Sequence, residues 1–254
     1  MVTIKGTPFD SPLYEIDEER GVECRNCKAI AVVFTLKKDP SELVPEGLKP
    51  TGNGVVWFAH YGFSTLGEFK EFVSLVQVED EVGDRGYYMP YGYVTTDAAL
   101  AASRELTGAP KKLARIELVQ ELDVVQGILE RPAGKRLVTV TLKPTARALG
   151  KELVEAFLPK RTYLYSIRNL VLSRSAKGGV TQLTQLTKWY IDVDLHVDPR
   201  GESVLFTGPA SVTYDSPSAI DPVHKLEVDT IISGAYLECD MKINVAEVLK
   251  ELKV

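Results

Sequence analysis

Apolar residues in this chain come in short dense runs, separated by polar breaks rich in glycine and proline, and most runs are too short for a helix. KAIAVVFTL from Lys28 to Leu36 reads as a strand, as do GVVWFAHYG from Gly54 to Gly62 and EFKEFVSLVQVE from Glu68 to Glu79. GYYMPYGYVT from Gly86 to Thr95 is a further strand whose Pro90 calls for an edge position or a bulge. A long pattern from Leu113 to Glu130 and the run Lys135 to Leu142, joined by a Pro-Ala-Gly turn, form a hairpin pattern. Later strands are expected over Arg161 to Arg168, Gln185 to Leu195, Glu202 to Gly208 and Lys225 to Ile243.

Helical patterns are few. Thr96 to Leu106 has a Thr or Asp cap, alanine-rich turns and Gly108 just past its end. Ala146 to Leu158 is a second, ended by Pro159, and Asn244 to Leu252 a third, with Asn244 as its cap. Strands that follow one another through short turns favour antiparallel pairing over βαβ units, so the fold class is mainly antiparallel β (α+β). With no internal repeat and no clear linker, one domain over residues 1–254 is expected.

Composition narrows the function classes. A net charge of -5 offers no field to attract nucleic acid or an anionic membrane, so neither is an expected partner. The N-terminal stretch lacks an apolar h-region, and no apolar run approaches the roughly 18 residues of a spanning helix. Three cysteines make no disulfide framework, and a reducing, cytoplasmic location is the expectation. A redox Cys-x-x-Cys opens a helix, whereas Cys24 and Cys27 precede a strand. A structural zinc site needs four ligands, and beyond that pair only Cys239 and three histidines remain. His60, His196 and His224 have no metal-site spacing and read as hydrogen-bonded structural residues. Gly62 to Gly67 is not a nucleophile elbow, and no P-loop or dinucleotide-binding glycine pattern occurs.

One stretch stands apart. In RELTGAPKKLA, Gly108 and Pro110 fix the backbone before Lys111 and Lys112, and the pair leads into LARIELV, which must be packed. An unperturbed lysine, with a pKa of about 10.4, is neutral only about once in 2,500 at pH 7. Burial can lower that value by ~4 units and make the amine a nucleophile. The negative end of the preceding helix opposes this by ~1 kcal/mol or less. Neighbours on a strand point to opposite faces, so at most one lysine enters a given cavity. Parity does not choose between them: Lys112, Ala114, Ile116 and Leu118 make the more apolar face.

TTDAALAASRELTGAPKKLA, from Thr95 to Ala114, resembles the signature segment of the acetoacetate decarboxylases and their superfamily. DPSELVPEGLKP (Asp39 to Pro50), FKE (Phe69 to Glu71) and the stretch from Phe206 to Met241 resemble other family segments in the same order. The resemblance implies an antiparallel β-cone or barrel around a pocket, with a few peripheral helices, within a homo-oligomer. It implies that Lys111 forms a Schiff base beside Lys112, that Glu71 is the active-site glutamate and that Arg25 matches an N-terminal arginine. The substrate implied is a small β-keto acid, decarboxylated with neither metal nor organic cofactor. The chain departs from the family pattern at Thr107 and Ala109, small where a bulky residue is typical, and at Val56 and its neighbours, apolar where a second acid stands. Two other readings stay open: a Schiff-base aldolase-dehydratase acting on pyruvate and an aldehyde, and a non-catalytic binding module of the same fold.

Overall fold

The computed structural model describes residues 21–148, 159–174 and 180–252. The described residues open with β1 (Val22–Leu36), β2 (Leu48–Ser64), β3 (Phe69–Asp80) and β4 (Arg85–Val94). Helix α1 (Asp97–Ala102) and a π-helical turn (Ser103–Thr107) lead to β5 (Lys111–Leu113). Next come β6 (Arg115–Glu121), β7 (Val124–Glu130), β8 (Arg136–Leu142) and β9 (Ala146–Arg147). The chain continues with β10 (Arg161–Arg174), β11 (Val180–Leu195), β12 (Leu205–Gly208), β13 (Ala210–Tyr214), β14 (Val228–Ile243) and β15 (Glu247–Leu252).

Among the described residues eleven strands form one sheet whose central path runs β11-β10-β4-β3-β2-β1-β14. β14 also pairs with β11, from Ile191↔Ile243 to Leu195↔Cys239, so these seven strands make a ring. Closure is partial: β4 meets β10 only at Gly86, Tyr87 and Tyr88. That contact and the β4–β5 pairing are parallel, the exceptions to the antiparallel rule. Pro90 sits where the β3–β4 register slips between Ser74 and Val76, so the bulge, not an edge, accommodates it.

The remaining strands form a four-stranded sheet, β13-β8-β7-β6, laid against the outside of the ring. Ile30, Val32, Phe34, Val56, Phe58 and Phe72 on the ring's outer face pack with Ile116, Leu129, Leu137 and Val140 of the small sheet. The other face of β1–β3 looks into the ring and is apolar as well. Strands buried on both faces need near-continuous apolar sequence, which is why KAIAVVFTL and GVVWFAH alternate so little.

Some expectations change. The pattern from Leu113 to Glu130 is interrupted at Leu122, which takes φ +51° in a turn between β6 and β7. The hairpin across Pro-Ala-Gly therefore joins β7 to β8 within a meander. Asn244 to Leu252 is no helix: Glu247–Leu252 pairs with β11 as an edge strand, and Asn244 donates its backbone N–H to Tyr190 O at 3.0 Å. The unpaired edge of β11 offers that segment a ladder of backbone partners, which outweighs local helix propensity. The expected helix from Ala146 begins instead as a short strand on β12, and its residues 149–158 lie outside the described residues. Among the described residues no helix is long and apolar enough to cross a membrane.

Candidate active site

The lysine pair is positioned by the elements on either side of it. Thr96 caps α1, its hydroxyl accepting from the Ala99 N–H at 3.4 Å. The π-helical turn that follows ends at Gly108, with φ +78°. Such a left-handed residue after a helix is normally glycine, and a Cβ on Gly108 would also stand 2.8 Å from the Arg168 backbone nitrogen. Ala109 and Pro110 carry the chain into β5, where Lys111 pairs with Gly92 and Lys112 with Tyr93.

Strand alternation then separates the lysines. Lys111 enters the ring, with 2 % of its side chain exposed. Lys112 lies on the opposite face with 40 % exposed. Gly92 makes room for the buried one: a Cβ there would stand 2.8 Å from Lys111 Cδ and 3.1 Å from Nζ. The backbone at Gly92 is not in the left-handed region, so Gly92→Ala should fold and displace the lysine side chain instead. Misplacement of ~1 Å costs roughly 10²-fold in rate. We expect that loss in kcat/KM with an unchanged circular dichroism spectrum; full activity would mean that Gly92 does not position the amine.

Lys111 Nζ donates to Glu71 Oε1, and Tyr61 Oη donates to Glu71 Oε2 at 2.7 Å. Burial pulls the Lys111 pKa below its ordinary value; the Glu71 carboxylate opposes through charge and hydrogen bond, and burial prevails. Burial first, and then Glu71, push the Tyr61 hydroxyl well above the usual phenol range, so it stays a donor. Tyr61 escaped the sequence reading. The β2–β3 hairpin register, Ala59↔Glu71 and Tyr61↔Phe69, is the signal that places it beside the glutamate.

Lys112 Nζ is held on the far face by Asp221 Oδ1 at 3.0 Å and by Ile220 O. Asp221 is buried and also accepts from Tyr93 Oη and Arg131 Nε, both at 3.1 Å. Burial alone would raise its carboxyl pKa, but Lys112, Arg131 and Tyr93 together hold it below the carboxylate range. The Lys112 charge is thus matched by a carboxylate on the side away from Lys111. Lys112→Gln should therefore move the Lys111 titration by less than about one unit, read as the rate of amine labelling against pH. A rise of more than about two units, worth ~2.7 kcal/mol, would make charge repulsion the main cause.

Around the amine the ring forms a pocket that opens to solvent. Glu71 and Lys111 are the only charged side chains lining it among the described residues. Thr107 and Ala109 line it too, and the Thr107 hydroxyl is tied back to Ser103 O at 2.7 Å. Val56 faces the core between the sheets, while Val55 and Trp57 face the pocket, so no second acid stands on this wall.

The structure does not bring Arg25 to the pocket. Its side chain is 55 % exposed and bonds Asp240 Oδ2 at 3.0 Å and Glu23 Oε2 at 3.2 Å. Cys24, the inward neighbour on β1, is fully buried, and alternation turns Arg25 outward. Cys24, Cys27 and Cys239 are fully buried in one apolar cluster. Burial pushes the Cys24 thiol far up, which leaves it a protonated, inert packing group. His60 meets Glu68 at 2.8 Å and His196 meets Asp240 at 3.0 Å, both structural contacts; buried His224 Nδ1 has no hydrogen-bond partner among the described residues.

The acetoacetate decarboxylase (ADC) family model matches residues 8–252. Acetoacetate decarboxylase 1 of Mesorhizobium japonicum is 29% identical over 255 residues, covering 98% of this chain and 96% of that protein. A solved acetoacetate decarboxylase structure superposes with a TM-score of 0.82 at 24% identity, covering 98% of this chain and 97% of the other. The enduracididine biosynthesis enzyme MppR, complexed with the condensation product of pyruvate and imidazole 4-carboxaldehyde, superposes at 0.69 with 18% identity, covering 91% and 89%.

Proposed function

The chain belongs to the acetoacetate decarboxylase family, and from that premise we propose that it decarboxylates a β-keto acid through a Schiff base on Lys111. The observation that carries this reading is a lysine buried in an apolar wall, with one carboxylate in hydrogen-bond reach. Burial favours the neutral amine, and Glu71 is placed to accept the proton that the ammonium must shed.

The Lys111 nitrogen attacks the ketone carbon. The resulting carbinolamine loses water and leaves a protonated imine, an electron sink two bonds from the carboxylate. The bond to the carboxylate carbon breaks, carbon dioxide departs, and its electron pair moves through the new enamine to nitrogen. The enamine carbon takes up a proton, and water releases the ketone and restores the amine. Tyr61 fixes one oxygen of Glu71 and leaves the other toward Lys111, so the carboxylate can serve both proton transfers. Loss of charge from the reacting carboxylate as it becomes neutral carbon dioxide suits the apolar side chains abreast of the amine, Trp57 and Val73.

A second reading, the aldolase-dehydratase, is favoured by the small Thr107 and Ala109, which leave space beside the same amine for a second carbonyl compound. Two parallel assays separate them: carbon dioxide release from acetoacetate and 3-oxohexanoate, and enone formation from pyruvate plus an aldehyde. Carbon dioxide without enone supports decarboxylation. Enone alone would replace that reading with the second, and neither product would favour a binding module.

A further inference from the structure

The register of β1–β5 sets the pocket floor out in rows. Ala31, Trp57, Val73 and Gly92 lie abreast of Lys111. Glu71 lies one row to one side of them, and the row to the other side is Val33–Val55–Leu75. Successive same-face residues on a strand are ~7 Å apart. The pocket floor therefore extends ~7 Å beyond the lysine row, away from Glu71, over apolar side chains. Met89, Leu164 and Trp189 pack against Val55 and Leu75 to wall that end. The polar chemistry and the apolar shelf thus occupy opposite sides of the amine.

Resting on the decarboxylase reading, we propose that this shelf receives an apolar chain on the keto carbon, so that the preferred substrates are medium-chain β-keto acids and not acetoacetate. Acetoacetate presents a single methyl group there and leaves Val33, Val55 and Leu75 uncovered. A chain of roughly five carbons, at ~1.5 Å per bond, spans the distance from the lysine row to Leu75. Desolvation of Lys111 accounts for an apolar lining close to the amine, but it does not require a shelf continued one row further and walled by Trp189.

The test is kcat/KM for carbon dioxide release from acetoacetate, 3-oxohexanoate and 3-oxooctanoate. Each methylene buried on the shelf strengthens binding roughly fourfold, so each two-carbon step should raise kcat/KM by roughly tenfold or more. In Leu75→Trp the indole fills the shelf, and the ratio of 3-oxooctanoate to acetoacetate turnover should fall at least tenfold. Equal or falling kcat/KM with length, in a protein that decarboxylates acetoacetate, would overturn the shelf and leave the decarboxylase reading standing. An unchanged ratio in Leu75→Trp would likewise move the chain off this shelf. Carbon dioxide from none of the acids would overturn the decarboxylase reading and this proposal with it.

Discussion

Lys111→Ala is expected to lower kcat/KM for β-keto acid decarboxylation on the order of 10⁵-fold or more. Enzymes gain at least about 10⁶-fold over the uncatalysed reaction, and losing a covalent nucleophile forfeits most of it. Among the described residues no other amine stands in reserve. Lys111 is the only lysine lining the pocket among the described residues, and Lys112 is turned to the other face of the sheet and held by Asp221. The variant should still fold, because Glu71 keeps its bond from Tyr61 and the pocket is already open to solvent. Single-turnover carbon dioxide release, beside a urea unfolding curve, checks both points. Residual activity within about a hundredfold of the parent would mean that the chemistry does not pass through this amine.

Glu71→Gln should produce two changes of opposite sign. The carboxylate raises the Lys111 pKa against the larger effect of burial. Removing its charge therefore lets that pKa fall further, and more of the amine is neutral at pH 7. Labelling of Lys111 by an amine-selective reagent should become faster and its pH midpoint should drop. Decarboxylation should nonetheless slow by roughly 10³-fold, the usual worth of a positioned acid or base. Faster labelling with slower turnover separates proton transfer from mere activation of the nucleophile. A midpoint that rises, or a turnover that survives, contradicts the assigned role. The depressed pKa also bears on stability. Between the lowered value and the ordinary 10.5, the unfolded chain binds this proton and the folded chain does not. The contribution of Lys111 to stability therefore rises with pH across that window.

The sheet character was legible because β1 to β4 are buried on both faces, and their apolar runs could hardly be anything else. The same double burial is why strand parity failed to choose between the two lysines. The more apolar face, running from Lys112 through Ala114, Ile116 and Leu118, packs between the two sheets. Lys111 faces the ring interior, whose lining comes from strands far away in sequence. The family segment pointed to Lys111 where periodicity did not, and the fold buries that lysine in the pocket wall. Glu71 was indicated the same way, and the hairpin register explains its partner Tyr61. Asp221 stayed hidden because 109 residues separate it from Lys112. Gly92 stayed hidden because its role appears only once β4 and β5 are placed side by side. Leu122 gave no turn signal, since leucine rarely takes a positive φ. Arg25 was misplaced because the outward step of β1 beside buried Cys24 cannot be read from a motif.

The central claim is a covalent bond between substrate and one particular amine. Incubation with a β-keto acid and borohydride, followed by digestion and mass spectrometry, tests it most directly. A single reduced adduct on Lys111, absent from Lys111→Ala and retained in Lys112→Gln, is the predicted result. An adduct on Lys112, or no adduct while carbon dioxide is still released, would contradict the account.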